Sequence, residues 1–95
     1  QIDWNDKAQN IIGKINGLIP VPGAFFNLNG ERYKILKAEI GNGVGKIGEV
    51  VSDRLEIACS NSQSIKILEI QRQGKKPQKI GEFMLGSQIK RGSII

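Results

Sequence analysis

Four basic side chains lie within eight residues of one another late in the chain: Arg72, Lys75, Lys76 and Lys79. Gly74 and Pro77 lie among them and hold the segment between a predicted strand and a predicted helix. A compact group of cations on a short, restrained loop loses little conformational entropy when it meets a phosphate. The spacing therefore indicates phosphate binding. The alternative is a solvated basic loop.

The net charge is concentrated in the same part of the chain. The chain of 95 residues carries a formal charge of +5. Residues 1–62 hold seven bases and seven acids, whereas residues 63–95 hold seven bases and two acids. A polyanion would feel this last third most, and nucleic acid is the commonest polyanionic partner of a basic domain. A solvated face that keeps the protein in solution would have the same composition.

Residue types argue against catalysis by this chain itself. There is no histidine, which excludes Ser/His/Asp and Cys/His nucleophile systems and histidine-ligated metals. The single cysteine, Cys59, cannot form an internal disulfide, fits a reducing cytosol, and ends an apolar strand face as a buried thiol. The carboxylates are scattered, with no pair suited to acid–base catalysis. We expect neither a metal nor a cofactor site.

The segment Gly43-Val44-Gly45-Lys46-Ile47-Gly48 matches the glycine pattern of dinucleotide-binding loops. That mechanism needs a helix N-terminus directly after the loop to receive the pyrophosphate. Here Glu49-Val50-Val51 follows, which is typical of a strand. The pattern therefore predicts a hairpin loop.

The remaining periodicity predicts a mainly β domain with a helix at each end. Ala8, Ile11, Ile12, Ile15, Leu18 and Ile19 have helical spacing, with Gly17 as the stop and residues 20–23 as a stiff connector. Asn29-Gly30 is a strong hairpin turn. A short C-terminal helix follows, with Ile80, Phe83 and Met84 on one face and Gly86 as its end. Five strands are predicted, over residues 24–28, 32–40, 46–51, 54–59 and 64–71.

Two strands change phase, which favours a small closed β-barrel of the OB type. Tyr33 and Ile35 share one face, but Leu36, Ala38 and Ile40 share the other, and the strand over 64–71 behaves in the same way. A bulge in a closing sheet produces such a change, as does burial of both faces. Barrels that bind single strands stack bases on aromatic side chains. Only Tyr33 could do so here, and packing in the core is the favoured use of it.

These stretches, taken in order, resemble the C-terminal domain of the methionyl-tRNA formyltransferase family. The residues that carry the resemblance are Ile2-Asp3-Trp4, Lys14-Ile15-Asn16-Gly17-Leu18-Ile19-Pro20, Pro22-Gly23-Ala24-Phe25, Asn29-Gly30, Lys34-Ile35, Ala38, Ile67-Leu68-Glu69-Ile70-Gln71, Gly74-Lys75-Lys76, Phe83 and Gly86. Val21 departs from the family, which usually has tryptophan between the two prolines.

The resemblance implies that residues 1–95 are one C-terminal domain of a longer enzyme, which agrees with a chain that opens on Gln1 rather than methionine. It implies an N-terminal Rossmann-like domain that carries the catalytic Asn, His and Asp and transfers formyl from 10-formyltetrahydrofolate to the methionine of initiator tRNA. The domain in hand would be non-catalytic and would present a basic surface to the tRNA. We expect a cytoplasmic monomer without a membrane segment, since Pro20 and Pro22 break the longest weakly polar run.

A specific hypothesis follows for the site. Arg72, Lys75, Lys76 and Lys79 are the principal phosphate contacts, and a weaker second group is Arg32, Lys34 and Lys37. Two alternatives remain open. Related barrels occur without tRNA in sugar formyltransferases and formyltetrahydrofolate dehydrogenase, where this domain is structural. An autonomous binder of single-stranded nucleic acid is the other.

Overall fold

The computed structural model describes residues 2–16, 24–87 and 89–95. Along the chain these form helix α1, four longer strands, a two-residue strand and helix α2. Their bounds are α1 Ala8–Ile15, β1 Phe25–Leu28, β2 Glu31–Gly41, β3 Glu56–Cys59, β4 Gln63–Arg72, β5 Gln78–Lys79 and α2 Ile80–Gly86. Within the described ranges, neither helix has the length and apolar character needed to cross a membrane.

Helix α1 forms where the apolar spacing predicts it and covers the sheet. Ala8, Ile11 and Ile15 are buried on one face. The N–H of Asn16 caps the end by donating to the carbonyl of Ile12 at 2.8 Å, and its side-chain amide donates to the carbonyl of Ala38 on β2 at 3.3 Å. The predicted stop at Gly17, the apolar positions Leu18 and Ile19 and the connector over 20–23 lie outside the described residues.

The predicted hairpin between β1 and β2 is confirmed. Asn29 and Gly30 have φ values of 53° and 79°, and Phe26 lies opposite Tyr33 in an antiparallel register. Positive φ at both turn residues matches the twist of the turn to that of the strands. Gly30 adopts this conformation without the steric cost that a Cβ would bring.

Substitution of Gly30 by alanine should therefore lower the free energy of unfolding by about 1 kcal/mol. A Cβ at this position would meet no atom within 4 Å, so the cost comes from the backbone alone. The matched control is Gly81→Ala in α2, which also has open space around it and should be neutral or stabilising by about 0.5–1 kcal/mol. Equilibrium urea unfolding compares the two. Equal effects would contradict a left-handed turn.

The predicted phase change is a bulge between β2 and β4. The pairing register shifts on both sides of Lys37, and as a result Tyr33, Ile35 and Ala38 are all buried although their spacing is irregular. On β4, the irregularly spaced Ile67 and Ile70 are likewise both buried. The extra residue sharpens the local bend of the sheet.

The strand order is β1-β2-β4-β3, with β5 added to β4. The mainly β class, the curled sheet and both helices are confirmed. The sheet is a half-barrel rather than a closed barrel among the described residues, because its pairing order ends on β1 and β3. The edge of β3 that faces away from β4 is covered by the segment around Val50, which forms an isolated bridge with Ile57. The N–H of Val50 donates to the carbonyl of Ser93 at 2.8 Å.

The expected strand over 46–51 is wrong, and the fifth strand is β5. Residues 46–51 make only isolated bridges at Glu49 and Val50, because Gly48 turns the chain with φ at 84°. Strand β5 falls instead within the predicted basic loop, where Gln78 and Lys79 pair with Ile70 and Glu69 of β4. Phe83 of α2 then packs edge-on against Tyr33 at 5.8 Å between ring centroids.

Candidate nucleic-acid interface

Arg72 ends strand β4 and is paired with an acid. Its Nε lies 2.5 Å from Oε2 of Glu31, and its Nη2 lies 2.6 Å from Oε1 of the same carboxylate. Two parallel hydrogen bonds between a guanidinium and a carboxylate form the most directional ion pair available to these groups. The positive charge of Arg72 is therefore offset by Glu31.

The pair changes the acidity of its members. Hydrogen bonds from Arg72 and then from Tyr33 hold the pKa of Glu31 below its ordinary value. The same contact raises the pKa of Arg72. The pKa of Tyr33 is raised by burial and, next, by the hydrogen bond of its hydroxyl to Oε2 of Glu31 at 3.0 Å. The carboxylate is thus charged at neutral pH.

Lys75 and Lys76 lie in a short turn directly after Arg72, and both are exposed. Gly74 turns the chain with φ at 77°. The N–H of Lys75 donates to the carbonyl of Arg72 at 2.9 Å, and the carbonyl of Lys75 accepts from the side-chain amide of Gln71 at 3.0 Å. The backbone of the turn is therefore held at both the N–H and the carbonyl of Lys75.

An open cleft of about 760 Å³ adjoins this turn. Tyr33 and Phe83 line it, together with Glu31, Lys75 and Lys76. A basic rim beside a concave surface is suited to an anionic group.

The other four bases of the predicted site lie on the opposite face of the sheet. Tyr33 faces the core, so Arg32 and Lys34, its neighbours in β2, point outward. The guanidinium of Arg32 lies 4.3 Å from the ring centroid of Phe25, a cation–π contact. Side chains that are paired across strands share a face, so Lys34 lies on the same outer face as Phe25, its partner in β1.

Two more lysines share this outer face with an acid between them. Glu69 of β4 pairs with Lys37 on β2 and with Lys79 on β5, so the three lie in one row across the sheet. Because Glu69 offsets part of their charge, this row is a weaker attractor of anions than its two lysines alone.

The structure thus divides the seven predicted site residues. Arg72, Lys75 and Lys76 lie at the cleft, whereas Arg32, Lys34, Lys37 and Lys79 lie on the outer face. Sequence reasoning missed the part played by Glu31, which lies 41 residues from Arg72. The strand register brings the two side chains together, because Tyr33 lies directly opposite Arg72 and Glu31 is two residues before Tyr33 on the same face of β2.

Other residues singled out from the sequence have structural positions. Tyr33 is buried and stacks on Phe26 at 5.2 Å between centroids, so its expected use in the core is confirmed. Cys59 is buried, and burial raises the pKa of its thiol. The loop around Gly43 leads into the bridges at Glu49 and Val50 rather than into a helix, as expected.

Comparison with known proteins identifies the family. The family model described as "Formyl transferase, C-terminal domain" matches residues 1–88. The chain belongs to this family. As a formyl transferase C-terminal domain it is 70% identical over 95 residues to methionyl-tRNA formyltransferase of Pelagibacter ubique (strain HTCC1062), an alignment that covers 100% of this chain and 31% of that protein.

Two further relatives are similar to the chain at lower identity. The methionyl-tRNA formyltransferase of Bradyrhizobium sp. (strain ORS 278) is 42% identical over 97% of this chain and 30% of its own length. That of Nitrobacter hamburgensis is 42% identical over 95% of this chain and 30% of its own length. The chain therefore spans about a third of the length of the curated relatives it matches.

Proposed function

We propose that this domain is the non-catalytic C-terminal part of a methionyl-tRNA formyltransferase and that it holds the backbone of the initiator tRNA. A Rossmann-like N-terminal domain outside this chain would transfer the formyl group from 10-formyltetrahydrofolate to the methionine amino group. The enzyme would act as a monomer. The observation that carries the proposal is the 70% identity to a protein of that name over all 95 residues.

The exposed turn supports contact with phosphates. The backbone of Lys75 is held by hydrogen bonds at its N–H and its carbonyl, Lys76 follows it directly, and Glu31 of the same cleft is already paired with Arg72. A-form RNA presents phosphates and ribose hydroxyls rather than readable base edges in its deep groove. Lysines at such a surface give affinity and orientation without sequence information. The outer-face lysines would supply a second, weaker contact.

The alternative, a structural domain that binds no tRNA, as in sugar formyltransferases and formyltetrahydrofolate dehydrogenase, is less well supported. The relatives described above carry the name of the tRNA enzyme, at 42–70% identity. Even a weak second contact gains from the effective concentration that a linker to the catalytic domain provides. The C-terminal domain can therefore strengthen binding of the whole enzyme without tight affinity of its own.

Charge reversal at Lys75 and Lys76 tests the proposal in the full-length protein. The double variant K75E/K76E should bind Met-tRNA about tenfold more weakly near 0.1 M salt and should lower the slope of log affinity against log salt by about 1–2. The loss should be equal for initiator and elongator tRNA, because phosphates carry no sequence. Filter binding over a salt series measures both quantities, and the KM for tRNA should rise while kcat stays unchanged.

The matched control reverses two exposed bases elsewhere. Lys46 and Arg54 lie on either side of Val50, which bridges Ile57 of β3, and β3 pairs with the Ser64 end of β4, roughly 25 Å from Arg72 along the strand. The variant K46E/R54E has the same net charge as K75E/K76E. If the two variants weaken binding equally, affinity depends on overall charge and the turn is a solvated loop.

A further inference from the structure

Two acids, Glu31 and Glu82, line the basic cleft, and Glu31 is the one that is bonded to a cation among the described residues. Both carboxylate oxygens of Glu31 are engaged: Oε1 accepts from Nη2 of Arg72 at 2.6 Å, and Oε2 accepts from Nε of Arg72 at 2.5 Å and from the hydroxyl of Tyr33 at 3.0 Å. An acid beside a polyanion site ordinarily weakens binding through repulsion. Its place here therefore needs a physical reason.

The carboxylate is fixed from below. The ring of Tyr33 is buried, stacks on Phe26 at 5.2 Å and meets Phe83 edge-on at 5.8 Å. A hydroxyl on a ring held from two sides has little freedom, so it sets the position of the Glu31 carboxylate. The carboxylate in turn sets the position of the Arg72 guanidinium, because a bidentate pair has one favoured geometry.

The same strand end holds the turn. The carbonyl of Arg72 accepts the N–H of Lys75 at 2.9 Å, and the N–H of Gln73 donates to the carbonyl of Arg32 at 2.9 Å. The side chain of Gln71 closes the turn on the carbonyl of Lys75 at 3.0 Å. Arg72 therefore joins the two sets of contacts: its guanidinium is held by Glu31 and, through Glu31, by the Tyr33 hydroxyl, and its backbone carbonyl holds the N–H of Lys75.

We propose that Glu31 is a positioning residue for RNA binding. By clamping Arg72 it holds the turn, so that Lys75 and Lys76 are already oriented when they meet a phosphate. The inference rests on the proposed function and deepens it, because it assigns direct phosphate contact to the two lysines and a supporting role to Arg72. A fixed cation pair loses less side-chain and backbone entropy on binding than a mobile one.

Removal of the negative charge separates the two possible roles of Glu31, because they have opposite signs. If Glu31 only repels the ligand, the variant E31Q binds more tightly. If it positions the turn, E31Q binds Met-tRNA about threefold more weakly although the protein has become more positive. The control is E82Q, which neutralises the other carboxylate of the same cleft. Glu82 accepts a hydrogen bond from Gln78 at 3.4 Å and forms no ion pair within the part of the chain that the structure describes. E82Q should bind unchanged or up to about twofold more tightly.

A charge swap tests whether Arg72 itself touches the phosphate. R72E alone places two acids together and should bind weakly. The double variant E31R/R72E restores a clamp with the net charge of the natural protein, and it should return the affinity to within about twofold of the natural value. Failure of the swap to rescue binding would assign direct contact to Arg72 and overturn the positioning role.

Two measurements on the full-length protein need no RNA. In E31Q the hydrogen-bonded amides of Gln73 and Lys75 should exchange hydrogen faster, and the pKa of Tyr33, followed by phenolate absorbance, should fall toward its ordinary value. Unchanged exchange of these amides overturns the inference whatever the binding result. The proposed function has a separate test. If K75E/K76E leaves tRNA binding intact while E31Q still speeds amide exchange in the turn, the proposed function is wrong although the contact between Glu31 and the turn is real.

Discussion

Replacement of Phe26 by alanine should lower the free energy of unfolding by about 3–5 kcal/mol. Phe26 is fully buried and lies between Trp4, at 6.3 Å between ring centroids, and Tyr33, at 5.2 Å. Its removal leaves a cavity. Because hydrogen bonds between the strands hold the backbone of the sheet in place, the neighbouring side chains can fill the cavity only in part. Small domains have a total stability of roughly 5–15 kcal/mol, so the variant should unfold at a much lower urea concentration.

The neighbouring residue offers a matched control. Phe25 is half-buried on the outer face, where its ring carries the guanidinium of Arg32. Phe25→Ala should cost only about 1 kcal/mol, chiefly the cation–π contact and partial burial. Equilibrium urea unfolding of both variants measures the difference. Equal losses would show that β1 does not present alternate residues to the core and to solvent.

The local parts of the fold were predictable because their signals are local. The hairpin turn depends on two residues that tolerate positive φ, Asn29 and Gly30, and helix α1 depends on apolar spacing over two turns. The bulge was visible as a change of phase, since Ile35 and Ala38 cannot both face the core in a regular strand.

Two elements were not predictable from the same kind of signal. Residues 46–51 have the β-branched composition of a strand, but their pairing is fixed by distant partners around Ile57 and Ile94 and by the turn at Gly48. Strand β5 has two polar residues and no alternation, and it is a strand only because Glu69 and Ile70 offer a free edge. Long-range pairing overrides propensity in both places.

The candidate site shows the same division. Residue type and charge density were sufficient to single out Lys75 and Lys76. They could not reveal that Arg72 is paired with Glu31, or that Lys79 faces away from the cleft, because both facts depend on the register of strands that are far apart in sequence. A cluster of bases in sequence became two groups on opposite faces of one sheet.

Glu56 should prove the most important single carboxylate for stability. Its side chain is only 7% exposed, and Oε2 accepts the Ser64 hydroxyl at 2.5 Å and the N–H of Gly43 at 2.6 Å. Glu56→Ala leaves the buried Ser64 hydroxyl without its acceptor and leaves the Gly43 N–H with only its 3.0 Å bond to that hydroxyl, which should cost about 2–3 kcal/mol. The same carboxylate explains the glycine at 41, where a Cβ would collide with it.

The loss should depend on pH in a defined direction. Burial alone would raise the pKa of Glu56, but hydrogen bonds from Ser64 and Gly43 and the charge of Lys66 outweigh it, so the pKa in the folded protein lies below the ordinary value of 4.5. The folded state therefore binds this proton less readily than the unfolded state. Its contribution is complete above the unfolded value and is lost as the pH falls through the folded value.

The isosteric variant Glu56→Gln isolates the charge. It should be less stable than the natural protein at pH 7, and the difference should shrink as the pH is lowered through the folded pKa, as urea unfolding at a series of pH values would measure. The control is Glu39→Gln, an exposed carboxylate in the same cross-strand row as Lys66, which should change stability by less than about 0.5 kcal/mol. Equal deficits of Glu56→Gln at pH 7 and in acid would mean that the shape of the side chain holds the loop, since only the ionised carboxylate gains from the two donors, Ser64 and Gly43, and from the charge of Lys66.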